Sequence, residues 1–190
     1  MTGSRFARQM ILPAIGREGQ RRLGESSALI VGCGALGSHT AEALARAGIG
    51  RLILVDRDLV AETNLHRVAL FTPPDLGRPK AEAAAEALHR LAPDVAVASH
   101  VAHLGPKLAE EVVPQVDVVL DGLDNLETRY LINDACVKHR VPWVYTAVLA
   151  TYGMTMPIVP ERGPCLRCLF PDLPPPGTIP TCAEAGILGP

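Results

Sequence analysis

The chain has 190 residues, 48% of them apolar, enough for one sizeable core, and a single domain over residues 1–190 is expected. Eighteen Lys and Arg nearly cancel twenty Asp and Glu, and a net charge of −2 argues against a nucleic-acid wrapper or a polybasic membrane binder. The composition excludes simple disorder, no apolar run reaches the roughly 18 residues of a membrane span, and Met1 to Arg8 precede no signal-peptide core, so the expected address is the cytosol.

Residues 5–24 predict a helical lead-in of mixed charge. Residues 28–31, Ala-Leu-Ile-Val, form a short apolar run of the kind a buried parallel strand shows. A glycine turn follows, then a helix over 35–47 that Gly48 ends. Residues 51–55 predict a second strand, and 57–77 an irregular polar segment punctuated by Asn64, Pro73, Pro74 and Gly77. Pro79 opens a helix to Leu91. Strands are expected over 95–101 and 116–120, a helix over 125–140, and two further strands over 142–149 and 152–159. The repeated alternation predicts an α/β fold, Rossmann-like, with a mostly parallel sheet and helices on both faces. Eight of the 17 prolines lie between Pro157 and Pro180, which predicts a Pro-rich crossover loop over 157–182, and Ala183 to Leu188 begin a helix.

Gly32-Cys33-Gly34-Ala35-Leu36-Gly37 is a G-x-G-x-x-G pattern. It follows a strand, opens a helix, and precedes Asp56 at the end of the next strand, which is the context of a nucleotide-binding turn. Gly32 permits the tight turn, Gly34 lets backbone N–H groups approach phosphate, and the helix N-terminus favours negative charge. An acid at Asp56 can bind ribose hydroxyls. The bland alternative is a plain strand-to-helix turn.

Other residues point beyond a dinucleotide. Asp58 lies two after Asp56; Asn64-Leu65-His66-Arg67 and Arg78-Pro79-Lys80 follow. A cation at Lys80 opposes the macrodipole of the helix it begins, unless a polyphosphate reverses the sign; the alternative is a solvated surface lysine. Asp124, in Asp121-Gly122-Leu123-Asp124-Asn125, lies past a strand end where ligands of open α/β sheets gather. It can ligate Mg²⁺ or, three residues before Glu127, cap the following helix.

Five cysteines, an odd number in a chain that is no small secreted scaffold, favour a metal or a reactive thiol over a disulfide framework. Cys165 and Cys168 form a C-x-x-C, half of a Cys₄ zinc site; a redox pair or two incidental thiols are the alternatives. Thr181-Cys182-Ala183-Glu184 fits a capping box with Thr181 as N-cap, which lowers the pKa of a thiol at Cys182; an ordinary helix-start residue is the alternative. Cys33 and Cys136 read as small packing residues.

Taken together, Arg5 to Gln9, Gly32 to Gly37, Val55 to Asp58, Asn64 to Arg67, Gly77 to Lys80, Asp121 to Asn125, Cys165 to Cys168 and Thr181 to Gly186 span nearly the whole chain. In that order they resemble the MoeB/ThiF/HesA family of adenylyltransferases, related to the ubiquitin-activating enzymes. The resemblance implies binding of ATP and Mg²⁺ and adenylation of the C-terminal Gly-Gly carboxylate of a ubiquitin-like sulfur-carrier protein, with release of pyrophosphate, for molybdopterin or thiamine biosynthesis. It implies that Asp56 holds the ribose, that Asp58, Asn64, Arg67 and Lys80 line the nucleotide and its phosphates, and that Asp124 bears on Mg²⁺. Arg8 is implied to act as an arginine finger reaching into a second subunit of a homodimer. The matching cysteine of relatives, here Cys182, carries acyl or persulfide sulfur in some of them, which brings a sulfurtransferase or cysteine desulfurase in as a further partner. A second C-x-x-C that would complete Zn²⁺ binding is absent from these 190 residues, so the chain is expected to be incomplete at its C-terminus relative to the family. The rival readings are an NAD-dependent oxidoreductase, which leaves the basic set without a purpose, and a non-catalytic nucleotide-binding module.

Overall fold

The computed structural model describes residues 5–175, 178 and 182–188, with Cys182 and Ala183 described for the backbone only. Six strands form one sheet in the order β3-β2-β1-β4-β5-β6. These are β1 Ser27–Val31, β2 Arg51–Val55, β3 Ala96–His100, β4 Val118–Asp121, β5 Trp143–Leu149 and β6 Tyr152–Ile158. β1 to β5 pair in parallel, and β6 turns back antiparallel on β5, with Pro157 opposite Val144. An edge strand tolerates that proline because it has one side with no ladder partner to supply. The start of the expected Pro-rich loop is therefore still sheet.

Residues of β1 and β2 sort by parity to two cores. Ala28, Ile30, Leu52 and Leu54 pack with Ala41 and Ala45 of α3 (Ala35–Ala47) and with Ala83, Ala84 and Leu88 of α4 (Lys80–Leu91). Leu29, Val31, Ile53 and Val55 pack on the opposite face with Ala109 and Val112 of α5 (Pro106–Val112) and Ile132 and Cys136 of α6 (Leu126–His139). Burial on both faces explains why these strands read as unbroken apolar runs. The expected α/β architecture is the observed one.

The local differences have identifiable causes. The lead-in is two helices, α1 Ala7–Met10 and α2 Gly16–Glu25, separated around Pro13 and started anew at Gly16, whose φ is +60°. Lys80 is the first helical residue of α4 and Pro79 its N-cap. The 116–120 strand shifts to Val118–Asp121, since Val116 closes a 3₁₀ turn over Val113–Gln115. α5 is a short helix that the sequence pattern missed. Within the Pro-rich segment, Cys165 caps α7 (Leu166–Leu169). The last helix, α8 (Cys182–Ala185), does not reach Leu188: Gly186 takes φ +77°, and Ile187 forms a parallel bridge with Ala150. Thr181, the expected cap, lies outside the described residues.

Three glycines lock the centre of the fold. A Cβ on Gly37 would lie 1.8 Å from the Gly32 carbonyl oxygen, and one on Gly122 would lie 2.4 Å from the same atom. Gly32 itself has φ +91° and approaches the Gly122 carbonyl. Both flanking contacts are with backbone, which cannot swing aside. Gly37→Ala is expected to destabilise the fold by about 3 kcal/mol, the upper end for overpacking, seen as a lower urea midpoint at unchanged slope.

Candidate functional site: a nucleotide cleft at the strand ends

The cleft lies over the C-terminal ends of β1, β2 and β4, where the sheet order reverses direction about β1. Its open space is ≈ 960 Å³, including solvent at the mouth, and Gly32, Gly34, Asp56, Asp58, Asn64, Arg67, Lys80, Asp124 and Asn125 line it. The structure thus gathers most of the residues picked from separate motifs into one place.

Gly34 is the N-cap of α3 with φ −78°, which any residue adopts. A Cβ added there meets nothing within 4 Å. No protein atom therefore demands glycine at this position, unlike Gly32 and Gly37. A side chain would project into open cleft, the space a phosphate needs to reach the α3 N-terminus.

Asp56, at the end of β2, accepts hydrogen bonds from the Cys33 amide (2.6 Å) and the Asp58 amide (2.8 Å). Burial pushes its carboxyl above the ordinary range, while these two amides pull it back. The carboxylate thereby clips the glycine turn to β2. Segment 58–60 runs beside 77–80: the Val60 amide donates to Arg78, the Gly77 amide to Val60 and the Lys80 amide to Asp58. That pairing places Lys80 Nζ 3.0 Å from Asp58 Oδ2, with the lysine side chain only 11% exposed. Lys80 is therefore not the solvated surface lysine of the alternative reading; a carboxylate offsets its clash with the α4 dipole.

Asn64 Oδ1 accepts from the Ala61 amide, and Arg67 donates to the Thr63 carbonyl, so both side chains brace the turn that carries them. Ser38, fully buried on α3, accepts from the Ala69 amide and pins this turn against the glycine loop. Nothing in the sequence distinguished Ser38 from an ordinary helix residue.

Asn125, not Asp124, caps α6: its side chain accepts from the Thr128 amide at 3.0 Å. Asp124 is exposed at the cleft wall, which leaves its carboxylate available to a cation. Among the described residues no group of three or more His, Cys, Asp or Glu side chains could enclose a metal ion. One carboxylate nevertheless suits Mg²⁺ that is carried mainly by phosphates and water. Behind the cleft, Arg129 of α6 meets Asp121 at 2.8 Å, both buried, and reaches the Leu123 and Thr146 carbonyls. This pair holds the strand end beneath Asp124. Nothing in the sequence set Arg129 apart from an ordinary charged helix residue.

Arg8 lies exposed on α1 and does not line the cleft of its own chain. Cys33 and Cys136 are buried as expected, and burial drives both thiols up, Cys136 to about 12. Cys165 and Cys168 bring their sulfurs to 3.7 Å, close to the ~3.8 Å edge of a tetrahedral zinc–thiolate site. Their turn is fastened to α6 by the Leu166 amide donating to Asn133 Oδ1 and by Arg167 pairing with Asp134. The side chain of Cys182 lies outside the described residues. Among the described residues no helix is long and apolar enough to cross a membrane.

Fold and cleft define an α/β domain with an open, glycine-lined cleft over the strand ends. Residues 6–190 match the ThiF family. The chain is 44% identical over 185 residues to the SAMP-activating enzyme E1 of Haloferax volcanii, covering 97% of this chain and 68% of that protein. It is 44% identical to the sulfur carrier protein adenylyltransferase of Thermus thermophilus, covering 97% of this chain and 70% of that one. The adenylyltransferase and sulfurtransferase MOCS3 of Danio rerio is 43% identical, and the chain spans 40% of its length. Among solved structures, E. coli MccB with ATP superposes with a TM-score of 0.80 at 25% identity, over 90% of this chain and 53% of that one. The chain belongs to the ThiF family and is an enzyme domain of the adenylyltransferase class, a kinship that sets aside the oxidoreductase reading.

The contrast between Gly34 and Gly37 is directly testable. Gly34→Ala is expected to cost less than about 1 kcal/mol of stability, as a changed N-cap does, yet to weaken ATP binding by about tenfold or more, measured by calorimetry.

Proposed function

We propose that the cleft binds ATP with Mg²⁺ and adenylates the C-terminal Gly-Gly carboxylate of a ubiquitin-like sulfur-carrier protein. The observation that carries this reading is Gly34: a glycine that no protein contact requires, at a helix N-terminus, in a cleft with Asp56, Arg67 and Lys80. The names of the relatives from T. thermophilus and H. volcanii support the class of acceptor.

The chemistry needs little from a general base. A C-terminal carboxyl has a pKa near 3.5 and is ionised at neutral pH. Its oxygen attacks the α-phosphorus, the bond from that phosphorus to the β-phosphate bridge breaks, and pyrophosphate leaves with the electron pair. The task is to hold two anions together, so catalysis rests on positioning and charge. Asp56 accepts from the ribose hydroxyls. The Gly34 turn and the α3 N-terminus receive phosphate. Asn64, Arg67 and Lys80 bind the polyphosphate, and Lys80 gives up part of its pairing with Asp58 to do so. Asp124 would hold Mg²⁺, which when bound would neutralise phosphate charge.

Arg8 serves a second copy in a homodimer, since its place on α1 lies outside its own cleft. Cys165 and Cys168 supply half of a structural zinc site, and Cys182 is the candidate thiol for sulfur handling with a sulfurtransferase or desulfurase partner. The sulfur acceptor pathway is molybdopterin or thiamine synthesis, and the reaction is cytoplasmic.

ATP–pyrophosphate exchange with Mg²⁺ tests the proposal, and exchange is expected only when a Gly-Gly-ended carrier is added. Absence of exchange with every such carrier would leave a nucleotide-binding module. Arg8→Ala is expected to lower exchange by about 10³-fold, as loss of an arginine finger does. Asp124→Ala is expected to lower it at least about 10²-fold, with the loss reduced by raised Mg²⁺ if any binding survives. Mixing the two inactive variants is expected to restore exchange, because a hybrid dimer has one cleft with both residues. Failure of mixing to restore it would place Arg8 elsewhere.

A further inference from the structure

The cleft wall formed by Ala102, His103 and Leu104 has no role in the chemistry above. These residues follow β3, and β3 lies on the far side of β2 from β1. The glycine turn follows β1 and Asp56 follows β2. A nucleotide whose phosphates sit on the glycine turn, with its ribose on Asp56, must therefore send its base outward along the same line. That line ends at residues 102–104.

The character of this end fits a base. Val31 and Val55 line the neighbouring floor, and Leu104 is 2% exposed. His103 is exposed, and among the described residues that line the cleft it carries the one aromatic ring. Its backbone carbonyl accepts from the Gly105 amide at 2.9 Å, which fixes the turn, while the imidazole has no hydrogen bond or ion pair with any of the described residues. A free ring at the mouth of an apolar slot can stack on a purine, a contact that depends on the flat face more than on hydrogen-bond pattern.

We infer that His103 is the base-stacking residue of the cleft and sets the affinity for the nucleoside part of ATP. The inference rests on the nucleotide reading of the site and adds which side chain recognises the base. It assigns the residue no part in bond making.

The test compares two probes, ATP and inorganic tripolyphosphate, each with Mg²⁺, binding to the native chain, His103→Ala and His103→Phe by calorimetry. His103→Ala is expected to weaken ATP by about tenfold, within the range for loss of one base–aromatic stack. His103→Phe is expected to stay within about twofold of native, since the flat face is kept. Tripolyphosphate affinity is expected to be the same in all three, a result that a merely structural role for His103 would not give. Unchanged ATP affinity in His103→Ala overturns the assignment. So does a parallel loss of ATP and tripolyphosphate, or failure of phenylalanine to rescue. If the native chain binds tripolyphosphate but ATP no better, base recognition is absent altogether; if it binds neither, the nucleotide reading itself fails.

Discussion

The structure depends on three backbones meeting at van der Waals contact. The end of β1 at Gly32, the first turn of α3 at Gly37 and the end of β4 at Gly122 approach so closely that no side chain fits between them. The Gly122 amide donates to the Val31 carbonyl, and the Gly32 amide to the Val55 carbonyl, so the junction also ties β1 to both neighbours. The close approach aims the α3 N-terminus over the strand ends. It also sets the loop bearing Asp124 beside the loop bearing Gly34. Chemistry contributed by distant segments converges because the packing leaves them nowhere else to go.

Charge in the cleft is arranged around this junction so that it is tolerated before any ligand arrives. Asp56 accepts two amide hydrogen bonds, Lys80 pairs with Asp58, and Arg67 leans on its own turn. A polyphosphate, with several negative charges, would be a stronger partner for Arg67 and Lys80 than the single groups they meet here. Buried charge deeper in the wall is handled differently. Asp121 and Arg129 pair with one another, the carboxylate also accepts from the Leu123 and Thr146 amides, and the guanidinium donates to the Leu123 and Thr146 carbonyls, so the pair acts as a fixed brace. Arg67 and Lys80 face the open cleft, whereas the buried pair lies behind it.

α6 links the cleft to the Cys165–Cys168 turn. Its N-terminus starts at Asn125, next to Asp124, and its middle carries Asn133 and Asp134, which hold the Cys165–Cys168 turn. Tyr130 of the same helix donates its hydroxyl to the Phe170 and Asp172 carbonyls, fixing the segment beyond the thiols. Residues 165–172 of the Pro-rich segment thus rest on the helix that shapes one wall of the cleft, although no sequence feature linked the two.

The amino-acid sequence by itself determined the parallel core, the glycine turn and the catalogue of charged cleft residues. Apolar runs at β1 and β2, glycine at fixed spacing and Asp56 at a strand end are local consequences of burial and backbone geometry, and local chemistry is what a sequence displays. Gly48 shows the same: it ends α3 in the left-handed region at φ +91°, where glycine is the residue expected. Tertiary structure alone decided that Asn125 caps α6 and frees Asp124, that Lys80 is paired and nearly buried, and that Ser38 pins the loop of Asn64 and Arg67. It also decided which glycines the packing of the protein itself requires, since Gly34 and Gly37 look alike in the motif. These outcomes depend on which distant atoms come within a few ångströms, and that is fixed only when the sheet order is set and the layers close on it.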